Sequence, residues 1–153
     1  MAALSSDRNT QYSLGDLLSI PVAASTQIFA GSLVCIDDDG YAVPADDAAG
    51  LIFAGVATAQ ADNSTGGAGA LSVVVRRRGR YLLAYDGALS QAAVGAQVCA
   101  VDDQTVDAAD DTTNDVAVGV IARFESSGEC WVDIDRAVLE GRAWTEPTTT
   151  TQA

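Results

Sequence analysis

Residues 30–59 read AGSLVCIDDDGYAVPADDAAGLIFAGVATA, and residues 94–123 read VGAQVCAVDDQTVDAADDTTNDVAVGVIAR. Laid over one another without a gap, they agree at ten of thirty positions. Gly31 meets Gly95, Val34-Cys35 meets Val98-Cys99, and Asp38-Asp39 meets Asp102-Asp103. Ala45-Asp46-Asp47 meets Ala109-Asp110-Asp111, and Gly55-Val56 meets Gly119-Val120. A composition this rich in Ala, Asp and Val supplies roughly three or four matches by chance, so the excess points to a copied supersecondary unit. Each copy reads as strand, Asp-rich turn, strand, loop, strand, with a further strand (Leu71–Val75 or Cys130–Ile134) behind it. The sequence therefore predicts an all-β fold, a small β-sandwich or barrel built from two similar halves packed face to face. A few strands alone leave an apolar face uncovered, so neither half is expected to stand by itself. Cys35 and Cys99 are expected at matching positions.

The texture around the repeats agrees. From Ile20 onward, short apolar runs alternate with Gly, Asp, Asn and Ser clusters. Strands are predicted at 20–23, 33–36, 41–44, 52–58, 71–75, 80–84, 97–101, 116–124 and 130–134. Asp37-Asp38-Asp39-Gly40 and Ser126-Ser127-Gly128 are hairpin signals, since Asp and Gly tolerate the backbone angles of tight turns. Asn63 to Gly69 reads as a flexible loop. Helix signals are weak: one turn at 89–93 and a short helix at 136–140 ending at Gly141. The β domain is thus expected over 20–135. Residues 1–19 form an extended N-terminal arm, too polar for a core. Residues 136–153 form a short helix and a flexible polar tail closing on Thr-Glu-Pro-Thr-Thr-Thr-Thr-Gln-Ala.

Composition removes many functions. The 153 residues suffice for one domain with one core. Much of the 48% hydrophobic content is alanine, so that core is thin. With 21 acidic and 8 basic residues the net charge is −13, a field that repels a nucleic-acid backbone. There is no histidine, hence no His general base, Ser-His or Cys-His pair, or His-ligated metal. All eight basic residues are arginine, so Schiff-base and P-loop lysines are absent as well. Cys35, Cys99 and Cys130 are odd in number and lack C-x-x-C spacing; they read as small buried hydrophobes in a reducing compartment. Residues 1–8 have no signal-peptide pattern, and no apolar run approaches the ~20 residues of a membrane helix. The Asp clusters do not follow the spacing of a calcium loop and read as solvated turns. Gly66-Gly67-Ala68-Gly69 lacks the strand-to-helix setting of a phosphate cradle. No catalytic residue, metal or cofactor is expected.

What remains are candidate contact residues. Arg76-Arg77-Arg78-Gly79-Arg80 holds four of the eight arginines. As one strand it puts Arg76, Arg78 and Arg80 on one face and Arg77 on the other. Such a face either pairs with the protein's own acids or meets carboxylates of another subunit. Trp131 reads as core. Trp144 in the tail and Tyr12 in the arm are either idle or anchors on another surface. In the arm, Arg8, Tyr12, Leu14, Leu17 and Leu18 are the contact candidates, leading into Ser19-Ile20-Pro21-Val22, an edge strand by virtue of its proline.

The chain also resembles a family. Ser19 to Ala24, Ile28-Phe29-Ala30-Gly31-Ser32-Leu33-Val34 and Asp39-Gly40-Tyr41-Ala42-Val43-Pro44-Ala45 resemble segments of tailed-phage head decoration, or cement, proteins. So do Phe53-Ala54-Gly55-Val56-Ala57, the loop Asp62-Asn63…Gly66…Gly69-Ala70, and Val73-Val74-Val75-Arg76…Gly79. Val101 to Val106, Val118-Gly119-Val120 and Gly128…Cys130-Trp131-Val132-Asp133-Ile134 complete the pattern, which spans roughly residues 8–135. Each motif is short; the order and spacing carry the likeness. The resemblance implies a non-enzymatic structural virion protein, made in the host cytoplasm. It would bind the major capsid protein on the outer surface of the head, often as a homo-trimer, with neither nucleic acid nor membrane as partner. A fibre or spike module is the alternative, and a small trimeric β-barrel hydrolase using Asp and Arg without His is a third. Nothing carries over to the segment beyond Arg136.

Overall fold

A computed structural model of the chain describes residues 2–135. All nine expected strands are present: β1 (Leu17–Pro21), β3 (Leu33–Ile36), β4 (Ala42–Pro44), β5 (Ile52–Ala57), β7 (Ser72–Arg76), β8 (Arg80–Tyr85), β9 (Gln97–Ala100), β11 (Ala117–Ser126) and β12 (Glu129–Asp133). Three more, β2 (Thr26–Ile28), β6 (Ala61–Asn63) and β10 (Thr105–Ala108), are too short for a periodic signal. The expected turn of helix near 89–93 is a 3-10 turn at Gln91–Ala93. The expected helix and tail over 136–153, with Trp144, lie outside the described residues. The arm is shorter than expected, because Leu17 and Leu18 already pair with Arg76 and Val75 in the β1–β7 ladder.

The two halves share one topology. The first runs β1-β7-β5-β3-β4, and the second is a closed barrel in the order β10-β8-β12-β11-β9. The registers match residue for residue. Val34 faces Pro44 and Gly55, and Val98 faces Ala108 and Gly119, each 64 positions on. Cys35 lies opposite Val43 and Phe53, while Cys99 lies opposite Asp107 and Ala117. Outside the strands, Gly31 N–H donates to Ala57 O and Gly95 N–H to Ile121 O, both at 2.8 Å. The likeness runs past the quoted repeat: Ile20 faces Val73 in the β1–β7 ladder as Leu83 faces Cys130 in the β8–β12 ladder. The halves therefore do not share one barrel. Each curls on itself, and they lie side by side.

The halves close differently, and one residue explains it. In the second, Ala84 N–H donates to Gln104 O at 3.3 Å and β8 pairs with β10 in parallel. The equivalent residue of β1 is Pro21, which has no N–H to give. There the ring is completed only by the bridge between Val22 and Ala42, with Ala23 N–H on Ala42 O. The first half also carries the β2–β6 pair. Asn63, at its end, corrects the expectation of a flexible loop. It is buried, and its Nδ2 donates to Ala23 O and Gly67 O, both at 2.9 Å. Gly66 is required there because any Cβ would collide with the Asn63 Oδ1.

Alternation along the strands sorts the core into two clusters. Ile20, Val34, Ala42, Ala54, Ala57, Val73 and Val75 fill the first barrel. Their counterparts Leu83, Val98, Val106, Val118, Ile121, Cys130 and Val132 fill the second. The other face of β3, β4 and β5 is buried as well. Leu33, Cys35, Ala45, Phe53 and Val56 belong to the second half's cluster, so this face is the seam between the halves. Polar latches flank the seam. Leu33 N–H donates to Asp103 O at 2.7 Å. The Asp47 carboxylate accepts from the N–H groups of Thr113 (2.9 Å) and Asn114 (2.8 Å).

Gly55 and Gly119 occupy equivalent positions where neighbouring backbones come close. A Cβ on Gly55 (φ +147°) would strike the carbonyl oxygen of Arg76, and one on Gly119 the carbonyl oxygen of Asp133. Gly55→Ala and Gly119→Ala are each expected to cost about 2–4 kcal/mol by denaturant unfolding. Gly67→Ala, whose Cβ has open space around it, should stay within about 0.5 kcal/mol. Asp47→Ala should lower the melting temperature by loosening the seam. The backbone N–H groups of Thr113 and Asn114 hold the Asp47 carboxyl below its ordinary 3.8. Its stabilisation is therefore present above that value and lost as pH falls through the lower folded value, so the variant should show a weaker acid dependence in a pH series of melts.

Candidate interaction surface at the junction of the halves

The arginine cluster is not one strand, which corrects the expectation of a single basic face. Arg76 ends β7 and Arg80 opens β8, so Arg77-Arg78-Gly79 is the link joining the two halves. That link is tied down on both sides. Arg77 N–H donates to Asp16 O at 2.9 Å, Gly79 N–H to Asp135 Oδ1 at 2.8 Å, and Ile134 N–H to Gly79 O at 3.1 Å. The chain thus passes from one barrel to the next through an exposed corner carrying three exposed guanidinium groups, Arg76, Arg78 and Arg80.

Two of those groups meet the protein's own acids. Arg78 Nε lies 3.5 Å from Asp16 Oδ1, and Arg80 Nε lies 4.0 Å from Asp133 Oδ2. Both pairs are well exposed and contribute little to folding. Arg76 forms a groove of about 460 Å³ together with Asp16, Leu17, Arg78 and Gly79. The fold therefore brings Leu17 and the arginines, separate candidates in the sequence, to one place. Asp16 is part of the same corner and had no signal of its own in the sequence.

The arm leads away from this corner. Arg8, Tyr12 and Leu14 are all exposed, Tyr12 at 85% and Leu14 at 74%. Leu17 is 54% exposed and Leu18, facing the barrel mouth, 37%. Thr10 N–H to Arg8 O, at 3.1 Å, is a local turn rather than an attachment to the body.

A second surface lies on the outer face of the β8–β12 ladder. Trp131 is not core: Cys130 and Val132 point inward, so the residue between them points out. It faces Leu82 across the β8–β12 ladder. Its indole N–H donates to Glu125 Oε2 at 3.0 Å. With Arg80, Ala122 and Arg123 it lines a shallow groove of about 390 Å³. Strict alternation through Cys130-Trp131-Val132 was the signal that gives this orientation.

The other motifs are absorbed by the fold. Asp37 Oδ1 accepts from Asp39 N–H (3.0 Å) and Tyr41 N–H (2.9 Å), and Asp102 Oδ1 accepts from Gln104 N–H (2.9 Å) and Thr105 N–H (2.8 Å). Both carboxylates therefore shape turns. Among the described residues no three His, Cys, Asp or Glu side chains converge as a metal site. In the Gly66–Gly69 loop, Gly69 N–H donates to Val22 O and Gly66 N–H to Asn63 O, so these amides are turned inward, unlike those of an anion cradle. Burial pushes the Cys35 thiol up to about 12 and raises Cys99 and Cys130 above the ordinary 9.0. No helix among the described residues is long and apolar enough to cross a membrane. Comparison with family models, curated proteins and solved structures finds no match to this chain.

All three cysteines are free and buried, so a thiol reagent at pH 8 should modify none of them in the native protein and all three after unfolding. The raised thiols also set an alkaline limit. The unfolded chain loses protons near pH 9 that the folded chain retains, so stability should fall as pH rises from about 9 towards 12. A Cys35→Ala variant should lose part of that alkaline slope.

Proposed function

We propose that the chain is a structural virion protein that binds the outside of a tailed-phage head and stabilises the shell. The observation that carries this reading is the exposed arm, rooted at a cationic corner of an otherwise acidic body. Leu4, Tyr12 and Leu14 present apolar area on a segment that the body does not cover. Arg76, Arg78 and Arg80 flank its root. The resemblance of the ordered motifs over residues 8–135 to head decoration proteins supports the same reading. The partners proposed are the major capsid protein and further copies of this chain, a trimer in the resemblance. The arm would lie along the shell or a neighbouring subunit with Tyr12 buried. An added subunit reinforces a lattice by mass action and by bridging neighbours, since several weak contacts raise the effective affinity. No enzymatic activity is proposed.

Heads assembled without the protein should form but lose DNA at a lower temperature than decorated heads; equal heat resistance would leave display as the only role. Removing residues 2–16 should leave the melting temperature of the body nearly unchanged and weaken head binding at least tenfold, or ~1.4 kcal/mol. Replacing Arg76, Arg78 and Arg80 with Ala should weaken head binding more at low salt than at high salt, because salt already screens exposed pairs. Undiminished decoration by the armless protein contradicts the reading.

A further inference from the structure

The backbone of β1 has one side in use and one side open. Asp16 O accepts from Arg77 N–H and Val22 N–H donates to Leu71 O, so even-numbered residues of this strand turn their polar groups towards β7. Odd-numbered residues turn the other way, as Ala23 does in donating to Ala42 O. On that other side the pairing stops at Val22: Pro21 cannot form the bond that Ala84 forms, and Leu17 and Ser19, like Arg80 and Leu82 at the equivalent places of β8, lie beyond the short neighbouring strand. Leu17 and Ser19 are left with N–H and C=O groups directed at an unoccupied strand position among the described residues. A free, straight, apolar edge of this kind recruits another strand.

The arm has the matching pattern. Thr10, Tyr12 and Leu14 alternate with Gln11 and Ser13, so as a strand it shows its apolar residues on one face. In antiparallel register with Leu14 opposite Leu17, Tyr12 falls opposite Ser19. Leu14 and Tyr12 then share the outer face with Leu17 and Val74, which are 54% and 38% exposed. The arm does not occupy this edge of its own β1: although Gly15 bends the chain at φ +79°, residues 10–14 form no strand and pair with nothing in β1.

We infer that the open edge of β1, Leu17 to Pro21, is a strand-accepting site occupied by residues 10–14 from the arm of a second copy of this chain. This rests on the self-association in the reading above and locates it. Exchange between two copies and passage round a ring of three use the same contact.

The test needs no heads, so its outcome is separate from that of decoration. Native mass of the full chain across a concentration series should give a multiple of the 15.6 kDa monomer. Ser19→Pro removes an N–H that faces the open edge and leaves the β1–β7 bonds untouched. It should give the monomer, with a melting temperature close to that of the armless monomer. Tyr12→Asp should weaken association at least tenfold, and removal of residues 2–14 should abolish it. Amide exchange at Leu17 should be slow in the oligomer and fast in both monomeric variants, and exchange at Ser19 slow in the oligomer and fast in the armless chain. A full-length chain that stays monomeric, or a Ser19→Pro chain that associates as the native one does, overturns the inference.

Discussion

Both faces of β3 and β5 are buried, and the rest of the molecule is arranged around that demand. In β3 the alternation is complete: Val34 and Ile36 belong to the first barrel, while Leu33 and Cys35 belong to the seam. A strand that is apolar on both faces cannot face water on either, so the first half requires the second as its cover. The reverse dependence is weaker. At the positions equivalent to Leu33, Val43 and Phe53 the second half has Gln97, Asp107 and Ala117. One copy of the unit has an adhesive outer face, while at the same positions the other has smaller or polar residues, of which Cys99 and Asp107 are themselves buried.

The bend that lets both strands serve two neighbours is local. Pairing slips by one residue between Val34 and Cys35 in the β3–β5 ladder and between Ala117 and Gly119 in the β9–β11 ladder. Gly55 and Gly119 sit at these slips, where a backbone carbonyl from the next strand presses against the Cα. Bulges of this kind increase twist and allow a short sheet to close. The same two glycines are among the ten matches that reveal the repeat, and this close approach is the physical reason that neither copy has a side chain there.

The link between the halves has a different character. With the strand ends beside it, it carries four of the six described arginines in an acidic molecule, and it joins the arm's root to the start of the second barrel through Asp16, Arg77 and Gly79. Its backbone is held by Asp16 and Asp135, while the guanidinium groups of Arg76, Arg78 and Arg80 remain exposed. The backbone is thus fixed by hydrogen bonds and the charges are left available. The proposed contacts with a shell and with other copies both draw on this corner.

The sequence by itself determined the strands, the tight turns and the duplication. All three are local or nearly so: alternation, the Asp and Gly of turns, and a 64-residue offset whose matches mark equivalent registers. Cys35 and Cys99 do sit at equivalent places, each facing β4 or β10 on one side and β5 or β11 on the other. The sequence also indicated which residues would be exposed in the arm, because a polar stretch cannot bury isolated leucines. Tertiary structure alone decided that the halves form two barrels side by side, since seam and interior are both apolar and alternation cannot say which apolar face meets which. It decided that 77–79 is a link between two strands, because a run of arginines reads equally as strand or connection until pairing partners are known. It turned Trp131 outward and Asn63 inward, where only the register and the freed carbonyls of Ala23 and Gly67 could tell their places. It left Leu17 and Ser19 of β1 open on one side, because the chain meets β4 there only at Val22.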